Sequence, residues 1–167
     1  LLIMGNEHSK KGASTLSANK LQKLRKKIII EYPWLQDIEE SMLITDMQQE
    51  DQPIIYANED FHKMTQYPKE EVLGFNCRFL QGPHTNPRTV NKMRDAIKNG
   101  KELEVEILNY RKDGTPFLNN FLMAPLHANK RQPKKVTHFI AVQKDVTYLL
   151  EQKDPTLWKS SQVALWQ

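Results

Sequence analysis

The chain has 167 residues, 39% of them hydrophobic and 26% charged. That make-up suits one globular domain with flanking segments and leaves no apolar run near the ~18 residues a membrane helix needs. A single cysteine rules out an internal disulfide and a zinc site built on two or four thiolates, and a lone thiol fits a reducing cytoplasm, the expected compartment. The formal charge of +4 is unevenly placed: residues 10–27 carry seven Lys/Arg and no Asp/Glu, which leaves 17 basic against 20 acidic side chains elsewhere. Without an initiator Met the chain is expected to be a piece of a longer protein, and Leu1-Leu2-Ile3-Met4 is too short for a signal peptide.

In chain order, residues 1–16 are polar and unpatterned and are expected to be a disordered tail. Residues 17–37 form a flanking amphipathic helix in which Leu21, Leu24 and Ile28 recur at helical spacing before Pro33 ends the pattern. The apolar, β-prone runs Met42-Leu43-Ile44-Thr45 and Ile54-Ile55-Tyr56-Ala57 read as strands. Asn58 is an N-cap for a helix holding Phe61 and Met64, Pro68 opens a short helix that Gly74 closes, and Asn86-Pro87 starts a helix running to Asn99-Gly100. Strands 103–110 and 117–124 join through the hairpin turn Lys112-Asp113-Gly114, and Val136–Val146 is the last strand. The 128–135 loop is expected to be solvated and residues 148–167 to flank the domain at its C-terminal side. Short helices between two strands and a three-strand meander argue an α+β domain on a five-stranded antiparallel sheet.

Alternation along the last strands sorts their faces. Asn109 shares a face with Leu103, Val105 and Ile107; Asn119 shares one with Phe121 and Met123; Gln143 shares one with Phe139 and Ala141. Three carboxamides converging on an apolar face either meet edge backbone and water, the commoner arrangement for an arbitrary sheet, or take a polar ligand, because a buried amide left unpaired costs about 1–3 kcal/mol. Amides offer donors and acceptors together, which suits the edge of a heteroaromatic ring. Helix 86–99 has an apolar stripe of Val90, Met93 and Ile97 with Arg94 beside it, and Arg78 follows Cys77; two guanidiniums at a cavity mouth suit a phosphate.

The stretch Gly74-Phe75-Asn76-Cys77-Arg78-Phe79-Leu80-Gln81-Gly82-Pro83 resembles the hallmark of the LOV photoreceptor domains, the flavin-binding PAS domains of phototropins and bacterial LOV proteins. The likeness continues through Ile44-Thr45-Asp46, Pro53–Ala57, Met93–Ile97, Asn109–Gly114 and Phe139–Gln143, and covers about residues 40–147. It implies a PAS fold over residues 38–147, with helices on one face of the sheet enclosing a flavin. Cys77 would be the photoactive thiol that bonds flavin carbon C4a on blue illumination. Asn76 and Gln81 would contact the ribityl chain or ring edge, Arg78 and Arg94 the phosphate, Asn109 and Asn119 the pyrimidine edge, and Gln143 the N5 and O4 side. Thr45, Leu80, Val90, Met93, Ile97, Ile107, Phe121, Met123 and Phe139 would line the pocket. Glu71 and Lys112 would form a surface ion pair. The short segment between Gln81 and Val90 favours FMN over FAD, and riboflavin is also less expected than FMN. Gln52, Ala141 and Met93 depart from the common Asn, Gly and Ile, and are expected to tune photochemistry rather than abolish it.

The resemblance implies a sensor and no enzyme. A Cys77 nucleophile served by His84, His127 or His138 lacks any protease-like context or spacing. A PAS module for another small ligand, or for dimerisation alone, is the alternative. For the basic helix, docking on the outer sheet face near Glu104 and Glu106, or pairing with a second subunit, is expected ahead of an acidic lipid surface. Nucleic-acid or acidic-membrane binding by residues 10–27 is a third alternative, compatible with light sensing, with no clear nucleic-acid motif. Signals would leave through the flanks to an effector the sequence does not name.

Overall fold

The computed structural model describes residues 16–127 and 135–149, and several of its helices begin where a side chain satisfies an unpaired backbone N–H group. Helix α1 (Ala18–Glu31) starts behind Ser17, whose hydroxyl accepts from Lys20 N at 3.3 Å. It stops at Tyr32, and Pro33 opens a 3-10 turn (Pro33–Asp37), so the flanking segment is a helix plus a turn. Strands β1 (Ser41–Asp46) and β2 (Ile54–Ala57) follow. Asn58 caps α2 (Glu59–Thr65) by accepting from Phe61 N at 3.1 Å, and the same oxygen accepts from Met42 N at 3.0 Å, which ties the helix to β1. Helix α3 (Lys69–Val72) ends before Gly74, whose φ of 87° is the left-handed geometry expected of a helix-closing glycine. A 3-10 turn (Cys77–Leu80) leads to α4 (Pro87–Lys98), capped by Asn86, and then to β3 (Leu103–Tyr110), β4 (Pro116–His127) and β5 (Val136–Asp145).

The five strands form one antiparallel sheet in the order β2-β1-β5-β4-β3, the α+β architecture expected from the sequence. Both faces of its β2-β1-β5 half are covered. The inner face, with Leu43, Ile54, Phe139 and Ala141, packs against Phe61, Val72, Leu80 and Val90 from the helical side. The outer face, with Met42, Ile44, Ile55 and Ile140, packs against Leu16, Ile28 and Leu35. Double coverage is why β1 and β2 are continuous apolar runs, whereas β3 alternates with Glu104 and Glu106 in solvent.

Two expectations are corrected. Leu16, assigned to the tail, is buried at 5% exposure under α1; the remainder of that tail, residues 1–15, lies outside the described residues, as do the 128–134 loop and residues 150–167. The flanking helix does dock on the sheet, but over Met42, Ile44, Ile55 and Ile140 rather than beside Glu104 and Glu106. Burying apolar side chains contributes about 1.5–3 kcal/mol each, more than exposed charge pairs give, so the helix follows the apolar patch. Glu104 instead accepts from Asn120 Nδ2 at 3.1 Å. Among the described residues no helix is long and apolar enough to cross a membrane.

Ile28 (1% exposed) and Ile30 (80% exposed) sit on opposite sides of α1. Ile28→Ala should cost about 2–4 kcal/mol in urea unfolding, and Ile30→Ala under about 0.5 kcal/mol. Equal costs would mean that α1 is not docked by this face.

Candidate functional site

Strand register brings the three amides together. Ile107 pairs with Asn119 and Phe121 with Gln143, so Asn109, Asn119 and Gln143 lie on neighbouring strands facing inward, at 4%, 0% and 2% exposure. Asn119 Nδ2 donates to both Asn109 Oδ1 and Gln143 Oε1 at 2.9 Å, and Asn109 Nδ2 donates to Leu80 O at 3.2 Å. Asn119 Oδ1 and Gln143 Nε2 are buried with no partner. An unmatched acceptor and an unmatched donor, each worth about 1–3 kcal/mol, are what a ligand edge carrying an N–H beside a carbonyl would satisfy.

A cavity of about 170 Å³ opens between this face and the helices, far larger than the ~10–15 Å³ that houses one water. Thr45, Asn76, Cys77, Arg78, Gln81, Val90, Met93, Arg94, Ile97, Phe121, Met123 and Phe139 all line it. Leu80 and Ile107 are instead packed in the inner core, and Leu43, Gln52 and Ala141 complete the wall. Leu43 was legible in principle, since it lies two residues from Thr45 and therefore on the same face of β1. The amides stand one step beyond the wall: Asn119 is two residues before Phe121, and Gln143 two after Ala141, along the same inward faces.

Cys77 opens the 3-10 turn, positioned by Asn76, whose side-chain oxygen accepts from Arg78 N at 3.0 Å. The thiol is half-buried because what it exposes faces the cavity. Burial pushes its pKa up, only partly countered by the Arg78 charge, so the group is S–H at neutral pH. Arg78, the expected phosphate contact, is paired with a carboxylate in the ligand-free chain. Its Nη1 and Nη2 each donate to Asp51 at 2.7 Å, and that hydrogen bonding holds the Asp51 carboxyl below its ordinary range. Arg94 donates to Asn91 Oδ1 at 2.9 Å.

The connector from the thiol turn to α4 is tightly held. Thr85 Oγ1 accepts from Gly82 N at 2.9 Å and donates to Leu108 O at 2.6 Å. Any side chain at Gly82 would meet the Tyr110 ring, since a Cβ there falls 2.3 Å from it. The expected Glu71–Lys112 ion pair is formed on the surface.

Comparison with known proteins agrees with this geometry. The PAS domain family profile matches residues 39–148. Phototropin-1A of Oryza sativa subsp. japonica is 47% identical over 113 residues, which is 68% of this chain and 12% of that protein. A blue-light photoreceptor of Listeria monocytogenes is 43% identical over 106 residues, 64% of this chain and 40% of that protein. Among solved structures, the LOV domain of a blue-light-activated histidine kinase from Erythrobacter litoralis is 42% identical with a TM-score of 0.62, covering 66% of this chain and 98% of that one. The chain thus spans less than half the length of these two curated relatives.

The raised thiol pKa gives a direct test on the ligand-free chain. The pH midpoint of iodoacetamide alkylation should lie above that of the chain unfolded in urea, and Arg78→Gln should move it higher still. A midpoint at or below the unfolded value would contradict the electrostatics described.

Proposed function

This chain belongs to the PAS domain family and to its LOV class, and on that premise we propose that it senses blue light through bound FMN, with Cys77 as the reacting thiol. The observation that carries the reading is the pair of buried partnerless atoms, Asn119 Oδ1 and Gln143 Nε2, next to a cavity walled by a protonated thiol. A flavin, when bound, supplies absorption in the blue and, once excited, a ring carbon open to attack by sulfur. Every other part of the proposal is work for the chain's own residues.

Asn119 Oδ1 accepts an N–H from the ring edge and Gln143 Nε2 donates to a carbonyl, while Asn109 holds Asn119 in place. Thr45, Leu43, Val90, Met93, Ile97, Phe121, Met123 and Phe139 exclude water from the ring, and Asn76 and Gln81 serve the sugar-alcohol chain. Arg78 and Arg94 at the mouth favour a phosphorylated flavin over riboflavin. The pinned connector pressed on Tyr110 favours FMN over the bulkier FAD. Cys77 would supply both its sulfur, to the ring carbon, and its proton, to the adjoining ring nitrogen, so the S–H bond broken is matched by one S–C and one N–H bond formed; in the dark it is held as S–H.

Gln143 carries the signal in this reading. Its one rotatable amide offers a donor and an acceptor, so a change in protonation beside it turns the amide and breaks the 2.9 Å bond from Asn119. β5 links that event to the flank, because Ile140 and Val142 face the opposite way, toward the α1 cluster. Residues 38–147 are then the light-sensing unit and α1 the first element of output.

Blue illumination of the purified yellow protein tests the proposal. The unaltered chain should bleach and recover in the dark. Cys77→Ala should keep its flavin and fluoresce without bleaching; reversible bleaching in that variant would remove Cys77 from the reaction. Gln143→Leu should shift the blue band to shorter wavelength while bleaching persists, and Asn119→Ala should lose roughly ten-fold or more in flavin affinity. An unshifted band or unchanged affinity would place those amides outside the ligand's reach.

A further inference from the structure

The pairing of Arg78 with Asp51 has no stabilising role large enough to explain it. The two side chains are 54% and 47% exposed, and pairs of that kind contribute little to folding. Yet the geometry is fork to fork, with two hydrogen bonds of 2.7 Å. Asn76 grips both partners: its Nδ2 donates to Asp51 O at 2.7 Å and its Oδ1 accepts from Arg78 N at 3.0 Å. Asp51 and Gln52 both adopt left-handed backbone, φ 61° and 50°, which turns Asp51 toward Arg78 while Gln52 joins the cavity wall. A carboxylate is thus fixed on one of the two guanidiniums at the cavity mouth.

We propose that Asp51 is a specificity-setting residue: by occupying and neutralising Arg78, it lowers the site's preference for a phosphorylated flavin over its uncharged counterpart. The inference rests on the flavin reading above. A phosphate arriving at the mouth meets two cations and one anion, and it must share the Arg78 fork with Asp51. Arg94, held by the uncharged Asn91, is unencumbered in this respect. Asn119 and Gln143, which recognise the ring in that reading, bond one another and Asn109 rather than Asp51 or Arg78, so Asp51 acts on the phosphate and not on the ring.

The test compares FMN with riboflavin, both titrated into flavin-free protein by fluorescence quenching. Asp51→Asn keeps the shape, one acceptor and the tolerance of left-handed backbone, and removes the charge. It should raise the ratio of riboflavin to FMN dissociation constants by about three- to ten-fold at low salt, shrinking toward unity as salt rises. In an Arg78→Gln background the same change should move that ratio less, because the effect passes through Arg78. If the unaltered chain takes up neither flavin, the flavin reading itself fails. If it binds flavin and Asp51→Asn leaves the ratio unchanged, lowers it or loses both ligands, this inference alone is overturned.

Discussion

Asn119 donates through its Nδ2 to both neighbouring amides, while no donor reaches its own oxygen. Gln143 accepts one of those bonds and keeps an unpaired nitrogen in the same dry space. An amide cluster of three side chains on an otherwise apolar sheet face cannot complete itself, and each open atom costs about 1–3 kcal/mol until something fills it. The fold is organised to keep that problem in place. Antiparallel pairing of β3, β4 and β5 fixes the amides in register, and the helices close the face around a cavity whose wall includes Phe121 and Ala141, each two residues from an amide.

The same apolar enclosure acts on the thiol. Burial disfavours thiolate, and the Arg78 charge, paired with Asp51, counters it only in part. Cys77 is therefore quiet by default, which suits a residue that is to react only on demand. On the opposite face, burial of Ile28, Leu35 and Leu16 holds α1 against β1, β2 and β5. One sheet thus has the candidate pocket on one side and the flanking helix on the other, with β5 common to both.

Much of this was readable before any coordinates. Period-two alternation placed Asn109, Asn119 and Gln143 on one side, and caps at Asn58 and Asn86 located the starts of two helices. The motif around Cys77 identified the thiol turn. Helix docking was misplaced because Glu104 and Glu106 drew attention as charges, while the stronger signal was the apolar outer set Met42, Ile44, Ile55 and Ile140. The Asp51–Arg78 pair was out of reach for another reason: it joins residues 27 apart through left-handed backbone at Asp51 and Gln52, which no residue-type rule requires of aspartate or glutamine. Leu80 and Ile107 fell behind the wall for the same kind of reason, since alternation gives the face of a strand and not the depth of a cavity.

Because the chain has one cysteine, its S–H stretching band in the infrared has a single source. Recording that band in the flavin-loaded protein before, during and after blue illumination follows the central event itself. The account predicts that the band is present in the dark, disappears under light and returns with the same time course as the blue absorption. A band that persists while the absorption bleaches reversibly, or one missing already in the dark, would contradict it.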